Sequence, residues 1–268
     1  MCAYGFGGAG ILDGKSHAEQ DRQFDPGRSA AAVKLLRTGV TLGRLANGSA
    51  PFALNVDFLS KDFSMATVRK LPADVYPETL SRLAPLRREA LNEEQQKTYD
   101  ALTRPPQPGG LSLAGIKGPG GVQMRMPKLS KSFGEVNRLL RTGMGLDGRL
   151  VEVAILATAR EMSSQFEWAM HESVAIAKGV ASQTVDIIRH RKPVAGVPEN
   201  EAALIELVRE AVGIGKVSPQ TYARALALFG EEGLLNYSAL IGNYAQTAII
   251  LCVFGQELHD HQRPGLPD

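Results

Sequence analysis

Residues 146–179 read LDGRLVEVAILATAREMSSQFEWAMHESVAIAKG. Ser163 and Ser164 divide the stretch into two apolar halves, and neither half alternates with a period of two. Each therefore reads as a helix rather than a strand. Asp147 has the chemistry of an N-cap for the first, and Ser163 or Ser164 for the second. Gly179 stops the second helix. Two helices joined so closely fold back as an antiparallel hairpin.

Outward from this hairpin the same signals continue. NEEQQKTYDAL follows a cap at Asn92, and KLSKSFGEVNRLLRTG (128–143) is helical. Residues 182–192 and 199–216 are amphipathic, the latter with apolar positions 203, 204, 207, 208 and 211 on one stripe. Residues 218–230 open on a cap and a first-turn proline, and 231–258 form a last apolar helix. Residues 104–127 hold five prolines and repeated glycines, so they read as a long loop, a lid or site wall. The expected fold is an all-α domain over 70–260. Residues 1–64 are glycine-rich and weakly periodic, with one short helical pattern at 29–46. They are expected to form a poorly ordered extension. Met65 reads equally as an alternative start or as a residue behind a dispensable tail.

Composition narrows the function. A chain of 268 residues with 44% hydrophobic content can bury a sizeable core. A net charge of +2, with no basic cluster interleaved with aromatics, gives no footprint for nucleic acid or an anionic membrane. The richest apolar run, 238–255, is interrupted by Asn243 and Gln246 and reads as a buried helix, not a membrane span. No basic segment precedes an apolar one at the start, so a signal peptide is not expected. Cys2 and Cys252 are far apart and form no disulfide framework or metal motif. Together these features fit a reducing, cytoplasmic compartment with no nucleic-acid or membrane partner; the small-molecule substrate and the absence of a cofactor are what the resemblance described below implies.

The candidate chemistry lies in the hairpin. Glu167 and His171 are one helical turn apart, and Ser164 shares their face. Glu152 interrupts the apolar run of the first helix, and the hairpin brings it toward His171. Buried there, its carboxyl is expected to have a raised pKa. A carboxyl–imidazole pair of this kind serves general acid–base chemistry. On the residues alone, Glu167–His171 reads equally as a surface pair beside a core. Trp168 and Phe166 read as core or pocket wall, and Tyr237, Asn236, Asn243, Tyr244 and Gln246 as pocket lining or packing between subunits. A metal held by Glu167 and His171, with Glu152, His259 or His261 as third ligand, is a further reading, ranked below metal-free chemistry. A nucleophilic Ser164 ranks lower still, lacking GxSxG. Lys128, Arg138, Arg149 and Arg160 are candidates to hold a substrate carboxylate.

The stretch 148–190, with LLNYSALIGNYAQTAIILCVFG further on, resembles the carboxymuconolactone decarboxylase family, which includes AhpD-like peroxidases. The resemblance covers about 120–255 and implies an AhpD-like helical bundle assembling as a homotrimer or a hexamer of trimers. The peroxidase branch carries E-x11-C-x2-C-x3-H, and that frame here holds Glu152, Ser164, Glu167 and His171. The resemblance thus implies that Glu152 and His171 are proton-relay residues. Serine and glutamate stand where the redox cysteines would be, so thiol chemistry has no centre here. The implied branch is the decarboxylase-like one, with Glu152, Glu167 and His171 catalytic. Ser164, Trp168, Tyr237 and Asn243 are the pocket residues of this reading. The implied reaction is decarboxylation or isomerisation of a lactone or β-keto-acid-like molecule. The other activities in view are an AhpD-like peroxidase (peroxiredoxin activity) and a non-catalytic binding module.

Overall fold

A computed structural model describes residues 70–103 and 115–267. The expected extension, 1–64, and residues 104–114 of the Pro/Gly segment lie outside the described residues. Among the described residues the chain forms α1 (Glu93–Thr103), α2 (Pro119–Gln123), α3 (Pro127–Arg138), α4 (Gly148–Glu161), α5 (Gln165–Ala177), α6 (Ser182–Arg189), α7 (Glu199–Val208) and α8 (Pro219–Val253). No strand forms among them, and Tyr76 and Ser81 make one isolated bridge. The fold is all-α, as the periodicity predicts.

Helix α4 is the axle of the bundle. It is apolar on every side, so every residue from Leu150 to Arg160 is buried, and α5, α6, α7 and α8 pack around it. Val151, Val153, Ile155 and Leu156 have no exposed surface. The start of α4 is fixed by Asp147, whose side chain accepts from the Arg149 amide at 2.8 Å. Ser164 caps α5 by accepting from the Glu167 amide at 3.5 Å. Gly179, at φ +89°, ends α5 in a conformation that side chains rarely adopt. Asn92 and Gln95 cap α1 reciprocally, each side chain accepting the other's amide at 2.9 and 3.2 Å.

Several elements differ from expectation. The 104–127 segment is not loop throughout, because α2 forms at Pro119, whose fixed φ suits a first helical turn. Residues 128–143 leave α-helical geometry after Arg138 for a π-helical turn, Leu139–Gly143. A second π turn, Arg209–Ile214, follows α7. Its wider winding carries Ala211 off the apolar stripe into solvent, while Ala203, Leu204, Leu207 and Val208 stay buried. The segments 218–230 and 231–258 join as α8, broken at Gly230 (φ 67°, ψ 174°) and ending at Val253. No helix of the described residues is long and apolar enough to cross a membrane.

Beyond α8 the chain is tied back onto the bundle. The Arg82 amide donates to Phe254 O at 2.8 Å, and the Glu257 amide to Leu80 O at 2.7 Å. Gln165 then holds the last described residues: its Oε1 accepts from the Gly265 and Leu266 amides, each at 3.0 Å, and its Nε2 donates to Leu266 O at 2.7 Å. Leu266 is buried in the main core. Gln165→Ala is expected to cost about 1–3 kcal/mol. Hydrogen exchange should accelerate at the amides of residues 265 and 266 first; unchanged protection there would show that the core contact of Leu266 alone holds the tail.

Candidate functional site

The hairpin α4–α5 sets two buried carboxyls against one imidazole. Glu152 has no exposed surface, Glu167 is 4% exposed and His171 is 3% exposed. Glu152 is buried because α4 has no solvent face. Glu167 and His171, one turn apart on α5, face the cavity between α5, α3 and α8.

Glu152 Oε2 lies 2.7 Å from His171 Nδ1. On its other oxygen, Lys178 Nζ donates at 2.8 Å and Arg141 Nη2 lies 3.5 Å away. Burial alone would raise the Glu152 carboxyl. The His171 hydrogen bond and charge, with those of Lys178, outweigh burial and hold it down at about 2. The expectation of a raised pKa at Glu152 is therefore overturned. Helical periodicity and the hairpin identify the burial and the approach of His171, but the expectation weighs burial above that contact and does not place Lys178 beside the carboxyl.

The raised carboxyl is Glu167. Burial pushes it up, and the charges of His171 and Arg141 offset this only partly. Its Oε2 stands 3.7 Å from His171 Nε2, too far for a direct hydrogen bond. The imidazole is thus held at Nδ1 by an ionised carboxylate and faces a second, protonation-prone carboxyl across Nε2. Tyr244 of α8 meets the His171 ring edge-on, with centroids 5.2 Å apart. Burial raises the Tyr244 phenol well above its ordinary value.

These groups open on a cavity of about 540 Å³. Glu167, His171, Arg138, Arg141, Lys178 and Tyr244 line it on its polar side, and Leu102, Phe166 and Met170 are among its apolar walls. Pro119, Gly120 and Gln123 also line it, so part of the 104–127 segment is a site wall, as expected of such a segment. Of the four pocket candidates, the structure places Asn243 on the wall, where its Nδ2 donates to Asn137 Oδ1 at 3.1 Å. Ser164 is a helix cap. Trp168 is in the core with its Nε1 donating to Glu172 at 3.0 Å, and Tyr237 packs on Phe229 at a centroid distance of 5.0 Å.

The basic candidates separate in the same way. Arg138 reaches the cavity. Arg149 is paired with Glu201, Arg160 is buried beside Arg191, and Lys128 is exposed. Sequence reading missed Arg141 and Lys178. Lys178 had a signal: it lies seven residues after His171, two turns along the same face of α5. Arg141 had none, because it sits in a π turn that breaks the register. Among the described residues no group of three or more His, Cys, Asp or Glu side chains is arranged to hold a metal ion. His259 instead contacts Lys117 O through Nε2 at 2.7 Å. Cys252 is an exposed free thiol.

The model of the carboxymuconolactone decarboxylase family matches residues 127–209, from α3 to the end of α7, and so contains Arg141, Glu152, Glu167, His171 and Lys178. Over these residues the chain is similar to that family. The carboxymuconolactone decarboxylase match leaves out α8, so Asn243 and Tyr244 are supplied from beyond it. Among solved structures, the domain is similar to a protein of unknown function from Agrobacterium tumefaciens described as an AhpD-type antioxidant-defence protein. The two share 18% identity at a TM-score of 0.45, over 49% of this chain and 90% of that one. No curated protein matches the chain.

Proposed function

We propose that this carboxymuconolactone decarboxylase-like domain is a cofactor-independent acid–base enzyme, a lyase or isomerase acting on a small carboxylated or lactone molecule. The observation that supports it best is the pair of carboxyls on one imidazole, one held ionised and the other pushed toward protonation. Divergent carboxyl environments in a single site are how one fold obtains a fixed charge and a proton donor at the same pH.

The roles follow from the geometry. Glu152 does not reach the cavity; it orients His171 through Nδ1 and leaves Nε2 directed at the bound molecule. In isomerisation, His171 takes a proton from one carbon and Glu167 returns one to another. In decarboxylation, the bond to the departing carboxylate breaks as carbon dioxide leaves. The electron pair is held by a neighbouring carbonyl of the substrate, and Glu167 supplies the proton that the carbon then takes. A carbonyl of the substrate is a sufficient electron sink, so no cofactor is required by this route. The apolar walls exclude water and strengthen each of these interactions.

The test is a panel of lactones and β-keto acids incubated with the protein in deuterium oxide. Carbon-bound deuterium or released carbon dioxide is expected with at least one member, and Glu167→Gln should abolish it. Label incorporation unchanged by Glu167→Gln would remove Glu167 from the reaction. Peroxide consumption is not expected, since Ser164 and Glu167 occupy the positions of the relatives' redox cysteines. Consumption by the wild type that disappears in the Cys2→Ser, Cys252→Ser double variant would instead establish a thiol route. A homotrimer is part of the same reading, supported by the exposed Leu235, Ile249 and Val253 along α8. Light scattering that returns a monomer mass would remove that part.

A further inference from the structure

We infer that Arg141 is the seat for a substrate carboxylate, so that the cavity takes small organic carboxylates and discriminates against neutral molecules of the same shape. The inference rests on the acid–base reading of the same cavity and selects between its two substrate classes.

Arg141 is the cavity's unsatisfied cation. Its side chain is only 8% exposed, yet its Nε is buried without a hydrogen-bond partner among the described residues. Its one ion pair among the described residues, to Glu152 Oε1, is long at 3.5 Å. A guanidinium buried in this way is costly unless an anion completes it. The other cations differ. Lys178 is satisfied by Glu152 at 2.8 Å, and Arg138 is exposed. Asn137 and Asn243 are engaged with each other.

Charge points the same way. Arg141 and Lys178 share one ionised carboxylate, Glu152, and Arg138 adds a further positive charge at the wall. Even with Glu167 counted as charged, three cations face two carboxyls. The cavity's side chains thus carry a net positive charge, which a neutral lactone would leave uncompensated. A carboxylate matches the guanidinium in plane and spacing, with two oxygens for two parallel N–H groups.

Position makes the seat relevant to the chemistry. Arg141 reaches one oxygen of Glu152 while His171 holds the other. An anion on Arg141 therefore presents its neighbouring carbons to His171 Nε2 and Glu167. Phe166, Met170 and Tyr244 supply an apolar enclosure for the rest of the molecule.

The experiment titrates the full-length protein with benzoate and with its neutral isostere benzamide, by calorimetry. Benzoate is expected to bind about tenfold or more tightly than benzamide, and Arg141→Met should remove that difference. Arg138→Gln should change benzoate affinity by less than about threefold, since an exposed charge contributes little. If Arg141→Met fails to fold, Arg141→Lys keeps the charge and stem but not the planar fork, and is expected to weaken benzoate by about tenfold. Equal binding of the two probes to the wild type, no benzoate binding at about 10 mM, or undiminished benzoate binding in the arginine variants would overturn the seat. His171→Gln should still bind benzoate. Arg141-dependent benzoate binding in a protein that exchanges no label with any panel member would leave the seat standing and defeat the acid–base reading. Label exchange indifferent to Arg141→Met would defeat the seat alone.

Discussion

His171→Gln is expected to lower turnover about 10²–10⁴-fold on any molecule the wild type converts, with the loss appearing in kcat. The imidazole stands between the ionised Glu152 at 2.7 Å and the buried Glu167 at 3.7 Å, and in the proposed mechanism a proton moving between substrate and protein passes its Nε2. Glutamine fills similar space and can still donate to Glu152, but it cannot take up a proton. The fold should therefore survive: Glu152 retains Lys178 and Arg141 as partners. Circular dichroism and light scattering on the variant check this. Turnover within about threefold of the wild type would take His171 out of the proton path.

Glu152→Ala is expected to act on stability instead, lowering it by about 3–5 kcal/mol at neutral pH. The carboxylate is fully buried and is the shared partner of His171, Lys178 and Arg141. Its removal leaves the buried Arg141 guanidinium and the Lys178 ammonium without their shared anion, beside a void in the central helix pair. The pH dependence identifies the cause. Glu152 is held at about 2, below its ordinary 4.5. Its contribution to stability is thus present above about 4.5 and is lost as pH falls through 2, an effect on the order of 3 kcal/mol. Urea unfolding should show the wild type losing stability across that window and the variant losing much less. Parallel loss in both proteins would mean that Glu152 is not ionised in the native state. Glu167 has the opposite sign. Its raised carboxyl contributes stability below the ordinary glutamate range, which is lost as pH rises through its folded value. Glu167→Gln should accordingly stabilise the protein at neutral pH while abolishing turnover.

Much of this was legible in the sequence, for identifiable reasons. The caps at Asp147 and Ser164 and the stop at Gly179 are local signals, and they fixed α4 and α5 closely. A helix apolar all round had to be central, which buried Glu152, and the hairpin then brought it to His171. What periodicity could not give was charge compensation. Glu152 read as a raised carboxyl because burial was weighed above the His171 contact and Lys178 was not placed beside it, and the raised group is Glu167 on the far side of the imidazole. The π turn at 139–143 hid Arg141, because a wider turn breaks the spacing on which face assignments rest. The pocket list erred for a related reason. Trp168 and Tyr237 are amphipathic residues on apolar helices, and nothing in their spacing separates a core position from a cavity wall.

The central claim is that one imidazole separates two buried carboxyls whose proton affinities have been driven apart. Carbon-detected NMR titration of the Glu152 and Glu167 side-chain carboxyls tests it without knowledge of the substrate. The account predicts that the Glu152 signal stays ionised down to a pH of about 2, while Glu167 titrates above the ordinary glutamate range. Two carboxyls titrating together near 4.5 would contradict it.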